Sequence, residues 1–202
     1  MTQLTDLCQQ IRLCQKCILA QGRTNAVPGE GPEDAGIMFI GEAPGFHEDR
    51  QGRPFVGAAG QYLEELLGQI GLKRQDVYIA NVIKCRPPGN RDPQPDEIEA
   101  CRPYLDRQIE LIRPRMVVTL GRFSMARYFP GASISRIHGQ PKRVGSVIYY
   151  PMFHPAAALH QPKWRSVVEE DILKIPGLLA KLDDVVETQE AERPQAQQLS
   201  LF

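Results

Sequence analysis

Short β-branched runs alternate along this chain with longer stretches of helical spacing. That pattern predicts an α/β fold: a three-layer sandwich with a central, mainly parallel four-stranded sheet and helices on both faces. Apolar runs at 37–40, 77–83, 116–120 and 146–150 are short enough to be buried strands, and they are separated by patterns long enough for helical crossovers. The size agrees, since 202 residues with 42% hydrophobic content suffice for one good-sized core but not for two.

In chain order, residues 5–13 read as a short helix leading into Cys14-Gln15-Lys16-Cys17, and the Gly- and Pro-rich segment 24–34 as a loop. The first strand ends in Gly41-Glu42-Ala43-Pro44-Gly45, so a carboxylate stands where the strand stops. The small residues around it let another molecule approach the backbone N–H groups near Gly41 and Ala43. Pro54-Phe55-Val56 follows in the same loop. Residues 57–70 then place Tyr62, Leu63, Leu66, Leu67 and Ile70 at helical spacing, with Gly71 as the stop.

The second strand hands over at Asn81 to a loop holding Cys85, Arg86 and Arg91. Pro95 opens a helix running to 112, whose Asp96 and Glu97 suit its positive end. The third strand meets Gly121 and a helix through 126, the fourth leads to His154, and a last helix covers 163–182. In a parallel sheet all carboxyl ends lie along one edge, where ligands bind. Glu42, Asn81, Gly121 and His154 therefore converge as an acid, an amide, a helix N-terminus and an imidazole in one crevice.

Lys plus Arg and Asp plus Glu number 24 each. The last 20 residues hold five acids and one base, which leaves a body of 19 acids and 23 bases. Such a body permits contact with nucleic acid. Five cysteines without an export signal argue against a disulfide framework and for a metal. Cys14, Cys17, Cys85 and Cys101 satisfy zinc or an iron–sulfur cluster equally well by ligand count. The absence of a signal peptide and of any apolar run near the roughly 20 residues of a membrane span leads to the expectation of a cytoplasmic protein. No phosphate-binding loop follows the first strand, which argues against a nucleotide hydrolase.

Taken together, Gly41-Glu42-Ala43-Pro44-Gly45, Glu48-Asp49, Gly52-Arg53-Pro54-Phe55-Val56-Gly57, Asn81 through Asn90, Ala100-Cys101-Arg102-Pro103 and His154-Pro155-Ala156 resemble the motifs of the family 4 uracil-DNA glycosylases. The resemblance spans Cys14 to about Leu179. It implies a 4Fe-4S cluster on Cys14, Cys17, Cys85 and Cys101, with no matching role for Cys8. It further implies a monomeric repair enzyme that flips uracil out of single- or double-stranded DNA and hydrolyses its N-glycosidic bond. Glu42 and His154 are then catalytic, with Gly41, Ala43, Phe55 and Asn81 completing the uracil site. The loop 90–95 lacks the histidine by which a related branch traps DNA covalently, so turnover is favoured. The rival reading is a non-catalytic or covalent uracil-DNA-binding iron–sulfur protein. Leu159 and His160 are candidates to fill the gap left in a duplex, and Arg86 and Arg91 to face phosphates.

The chain divides into a glycosylase domain, 1–182, and an acidic, Gln-rich tail, 183–202, expected to be disordered. The tail ends in Gln198-Leu199-Ser200-Leu201-Phe202. These residues resemble the pentapeptide by which bacterial proteins dock on the sliding clamp of DNA polymerase.

Overall fold

A computed structural model describes residues 2–181. β1 (Ile37–Gly41), β2 (Tyr78–Asn81), β3 (Met116–Leu120), β4 (Lys142–Val144) and β5 (Val147–Met152) form one sheet in the order β2-β1-β3-β5-β4. All neighbours are parallel except β4, which joins β5 as an antiparallel hairpin. The expected four strands are therefore five. All three residues of Lys142-Arg143-Val144 are exposed, and an edge strand with nothing to bury leaves no apolar period to read.

The helices are α1 (Gln3–Arg12), α2 (Leu19–Gly22), α3 (Phe46–Gln51), α4 (Ala58–Gln69), α5 (Pro95–Ile112), α6 (Arg122–Ala126), α7 (Ile134–Ile137), α8 (Pro155–His160) and α9 (Lys163–Leu173). The single helix expected over 163–182 breaks at Lys174 and resumes over 175–181. Pro176 explains the break, because it has no N–H to offer the carbonyl four residues back. α5 begins where the sequence placed it: Pro95 sits in the first turn, and Glu97 accepts the Gln94 N–H at 2.8 Å.

Period two along β1 divides the core. Ile37 and Phe39 point to one face, packing with Leu63 and Leu66 of α4 and Val168 and Ile172 of α9. Met38 and Ile40 point to the other, with Leu7 and Ile11 of α1 and Leu105 and Ile112 of α5. This burial on both faces is what makes the strands read as continuous apolar runs. Register then sets the functional edge. Gly41 lies beside Asn81, and Leu120 beside Met152, so β1, β2, β3 and β5 all finish together.

The expected domain boundary at 182/183 and the clamp-like segment, Gln198 to Phe202, lie outside the described residues. Among the described residues no helix is long and apolar enough to cross a membrane.

Candidate active site

The carboxyl edge of the sheet opens into a cleft of about 380 Å³, lined by Glu42, Ala43, Phe55, Asn81 and His154 among others. That size suits a small, largely enclosed ligand. Residues as far apart in sequence as Glu42 and His154 thus face one hollow. Gly41 lies beneath it. A Cβ at residue 41 would come within 2.4 Å of Asn81 Oδ1 and 2.7 Å of the Phe55 ring, so a bare α-carbon there is what lets amide and ring close over the strand end.

Asn81 is buried, and its Oδ1 has no hydrogen-bond partner among the described residues. Buried polar atoms are normally satisfied. An unpaired acceptor on a cleft wall therefore marks the place of a donor from outside.

His154 is defined by its own turn. Its Nδ1 accepts the Ala156 N–H at 3.1 Å and caps α8. Burial pushes its pKa down to about 4, against the weaker opposing influence of Glu48. The ring is consequently neutral at neutral pH with its proton on Nε2, which leaves one N–H free to donate. Phe55 lies 5.6 Å from the imidazole centroid, 26° from parallel. Glu42 is shifted the opposite way. Burial raises its pKa above the ordinary carboxylate value, Asp92 adds to the rise, and Arg122 opposes it.

Groups to which the sequence assigned no role hold these side chains in place. Glu48 accepts N–H groups from Gly45 at 3.1 Å and from Val56 and Gly57 at 2.9 Å each, stapling α3 to the Phe55 loop. Asp49, buried, accepts the Thr24 N–H at 2.9 Å and so ties the N-terminal loop to the same helix. Phe55 has a left-handed backbone, φ 52°. Its carbonyl accepts from Arg74 at 2.8 Å, and Gly60 packs so closely that a Cβ there would come within 1.9 Å of that oxygen. The acid pair Glu48-Asp49 was visible in the sequence, but nothing local said which N–H groups it would reach.

The structure changes one expectation and adds detail to two others. Gly121 contributes no donor: its N–H bonds the Met152 carbonyl at 2.8 Å, and α6 has only five residues. Arg91 is engaged by the buried Glu97 in a two-pronged pair at 2.6 and 2.9 Å, so it braces the 86–94 loop over the cleft. His160 lines the cleft, whereas Leu159 projects outward, 46% exposed.

The four cysteines of the expected cluster also meet. Cys85 and Cys101 are buried, Cys14 and Cys17 half-buried, and none is in a disulfide. Their sulfurs attract donors: Arg23 Nη1 to Cys85 Sγ at 3.0 Å, the Lys84 N–H to Cys101 Sγ at 3.3 Å, and the Lys16 N–H to Cys14 Sγ at 3.4 Å. Cys8 lies apart, against Tyr78. Among the described residues no three Cys, His, Asp or Glu side chains are disposed to hold a single metal ion. The donor chemistry, four thiols within electrostatic reach of one another and N–H groups aimed at three of the sulfurs, is of the kind that holds an iron–sulfur cluster.

An α/β sheet that gathers an acid, a buried amide oxygen without a partner among the described residues and a neutral imidazole in a cleft roomy enough for a pyrimidine has the make-up of a base-excising enzyme. The family model "Uracil DNA glycosylase superfamily" matches residues 28–173. The chain is 50% identical over 188 residues to the type-4 uracil-DNA glycosylase of Sulfurisphaera tokodaii, covering 88% of this chain and 86% of that protein. It is 48% identical to that of Archaeoglobus fulgidus, over 90% and 96% of the two chains. For the Thermotoga maritima enzyme the identity is 44%, over 86% and 93%. The chain belongs to the uracil-DNA glycosylase superfamily, within its type-4 branch.

Proposed function

We propose that this protein excises uracil from DNA by hydrolysing its N-glycosidic bond and leaving an abasic site. The observation that carries the reading is the buried Oδ1 of Asn81, without a partner among the described residues, on the same cleft as Glu42 and His154. Uracil presents a donor at N3 and an acceptor at O4, which the Asn81 amide meets with Oδ1 and Nδ2. Cytosine presents the reverse and leaves both pairs repulsive. Reaching this cleft requires flipping the nucleotide out of the stack, which costs least at a mispair such as U:G or in a single strand.

Bond cleavage leaves positive charge on the sugar and negative charge on the departing base. Glu42 takes the sugar side, where its carboxylate orients water and opposes the charge developing on the anomeric carbon. His154, neutral, donates its Nε2 proton in a hydrogen bond to O2 as the base becomes anionic. Phe55 gives the flat ring a wall, and Ala43 offers backbone close by.

Cys14, Cys17, Cys85 and Cys101 would hold a 4Fe-4S cluster. Hydrolysis needs no electron, so the group would pin the CxxC segment to the loop after β2 and to α5. The resemblance of Gln198 to Phe202 to a clamp-docking segment extends the reading to recruitment at replication forks, by a protein acting as a monomer.

The test is incubation with U:G and U:A duplexes, a uracil-containing single strand and a T:G control, scored by alkali-labile cleavage. Uracil-specific abasic sites, lost in Glu42→Ala and Asn81→Ala, are expected. Tight uracil-DNA binding without cleavage would favour the non-catalytic alternative.

A further inference from the structure

Lys84 is 1% exposed. Its Nζ donates to the Asn81 carbonyl at 2.8 Å and to Gln108 Oε1 at 2.6 Å. Gln108 is itself held, since its Nε2 donates to the Pro28 carbonyl at 2.8 Å and the Tyr78 hydroxyl at 3.0 Å. Both acceptors of the ammonium are neutral, and among the described residues Lys84 forms no ion pair with a carboxylate. A buried cation normally requires a countercharge.

The neighbours able to carry negative charge are thiols. Cys101 accepts the backbone N–H of Lys84 itself, Cys85 is the next residue, and Cys8 is near. The other nearby cation, Arg127, has its own partner in Asp106. Arg23 repeats the pattern of Lys84. One guanidinium nitrogen donates to Cys85 Sγ, and the other to the carbonyls of Arg12 at 2.9 Å and Cys14 at 2.8 Å, with no carboxylate partner among the described residues.

Four thiolates outweigh the positive charge of a cubane iron–sulfur core, so a loaded site is net negative. We propose that Lys84 and Arg23 are its fixed countercharges, and that Lys84, through the Asn81 carbonyl, is the positioning residue linking the cluster site to the uracil-reading amide. This rests on the cluster reading given under the proposed function. The two cations act differently. Arg23 joins the CxxC segment to Cys85 through the Cys14 carbonyl and the Cys85 sulfur, whereas Lys84 touches Cys101 Sγ with its backbone N–H and the Asn81 carbonyl with its ammonium. Hydrogen bonds and charge around the sulfurs are what tune such a group.

The experiment uses the full-length holoprotein. Iron and acid-labile sulfide, the reduction potential by film voltammetry, the rate of iron release to a chelator, and KM and kcat on a uracil-containing single strand are measured for wild type, Lys84→Met and Arg23→Gln. Each substitution removes a positive charge beside a net-negative group, which makes adding an electron harder. Both potentials should move in the negative direction, and iron should be lost about 10- to 100-fold faster. In Lys84→Met, KM should rise more than kcat falls, because the Asn81 amide is loosened while Glu42 and His154 are untouched.

A purely structural Lys84 would leave the potential unmoved. Lys84→Met with full iron and sulfide, the wild-type potential and the wild-type KM overturns the proposal. If that variant does not fold, an Arg23→Gln protein with unchanged potential and iron release overturns it. Wild-type protein purified without iron or sulfide overturns the cluster reading itself, so the two failures are distinct.

Discussion

At the scale of single residues, function depends on protonation states set by position. Glu42 and His154 occupy the same cleft and are both displaced by burial, yet burial acts oppositely on them. It disfavours the anion of the acid and the cation of the base, so Glu42 titrates above the ordinary carboxylate range and His154 near 4. Single-turnover excision should rise with pH as Glu42 ionises, with its midpoint above 4.5, and then stay flat through neutrality. His154→Gln should slow the reaction but keep that acid limb, since the limb belongs to Glu42. A pH–rate profile of both proteins checks this.

The same histidine makes stability depend on pH. Its ordinary pKa is 6.5 and its folded value about 4. Between these the unfolded chain takes up a proton that the folded chain refuses. The contribution is complete above 6.5 and is lost as pH falls toward 4. Urea titrations of the wild type should show the decline, and those of His154→Gln a shallower one. For Asn81→Ala, kcat/KM on uracil should fall by about 10²-fold or more, because the side chain assigned both the donor and the acceptor for the base edge disappears.

At the scale of elements, the cleft is as good as the loop that carries Phe55. That loop is clamped by Glu48 from α3, by Arg74, and by the close passage of α4 at Gly60. Gly60→Ala would drive a methyl group into the Phe55 carbonyl. A loss of about 1–3 kcal/mol in thermal unfolding is expected, together with reduced excision as the aromatic wall shifts. Glu48→Gln, which removes the charge from three N–H acceptor contacts, should cost about 1–3 kcal/mol, read in the same assay. These contacts explain why a sequence reading sees Phe55 but not its support. The φ of 52° at Phe55 and the reach of the Glu48 carboxylate are set by packing across more than one element.

At the scale of the molecule, the N-terminal segment and the β2–α5 region share one set of thiols, while the residues proposed as catalytic line the cleft at the sheet edge. Replacing Cys85 with Ala should release iron and expose the 14–25 segment to limited proteolysis, with excision falling in step. Retention of iron-free protein with wild-type protease resistance and full DNA affinity would remove the structural role given to the cluster. A chain ending at Gln197 should excise uracil normally and fail to bind the sliding clamp in a pull-down.

The sequence alone determined the four parallel strands, though not the exposed edge strand β4, their order of appearance, the carboxyl-edge location of Glu42, Asn81 and His154, and the four cysteines. Each of these is written in local periodicity or in motif spacing, and burial on both sheet faces makes that periodicity plain. Only the tertiary structure decided which imidazole nitrogen carries the proton, that Gly121 gives no donor, that Arg91 braces a loop through Glu97, and that Lys84 lies between sulfur and amide without a carboxylate. Gly121 and Lys84 owe their outcomes to contacts with residues distant in the chain, while those of His154 and Arg91 lie within a few residues but rest on side-chain orientation and burial, which no residue pattern encodes.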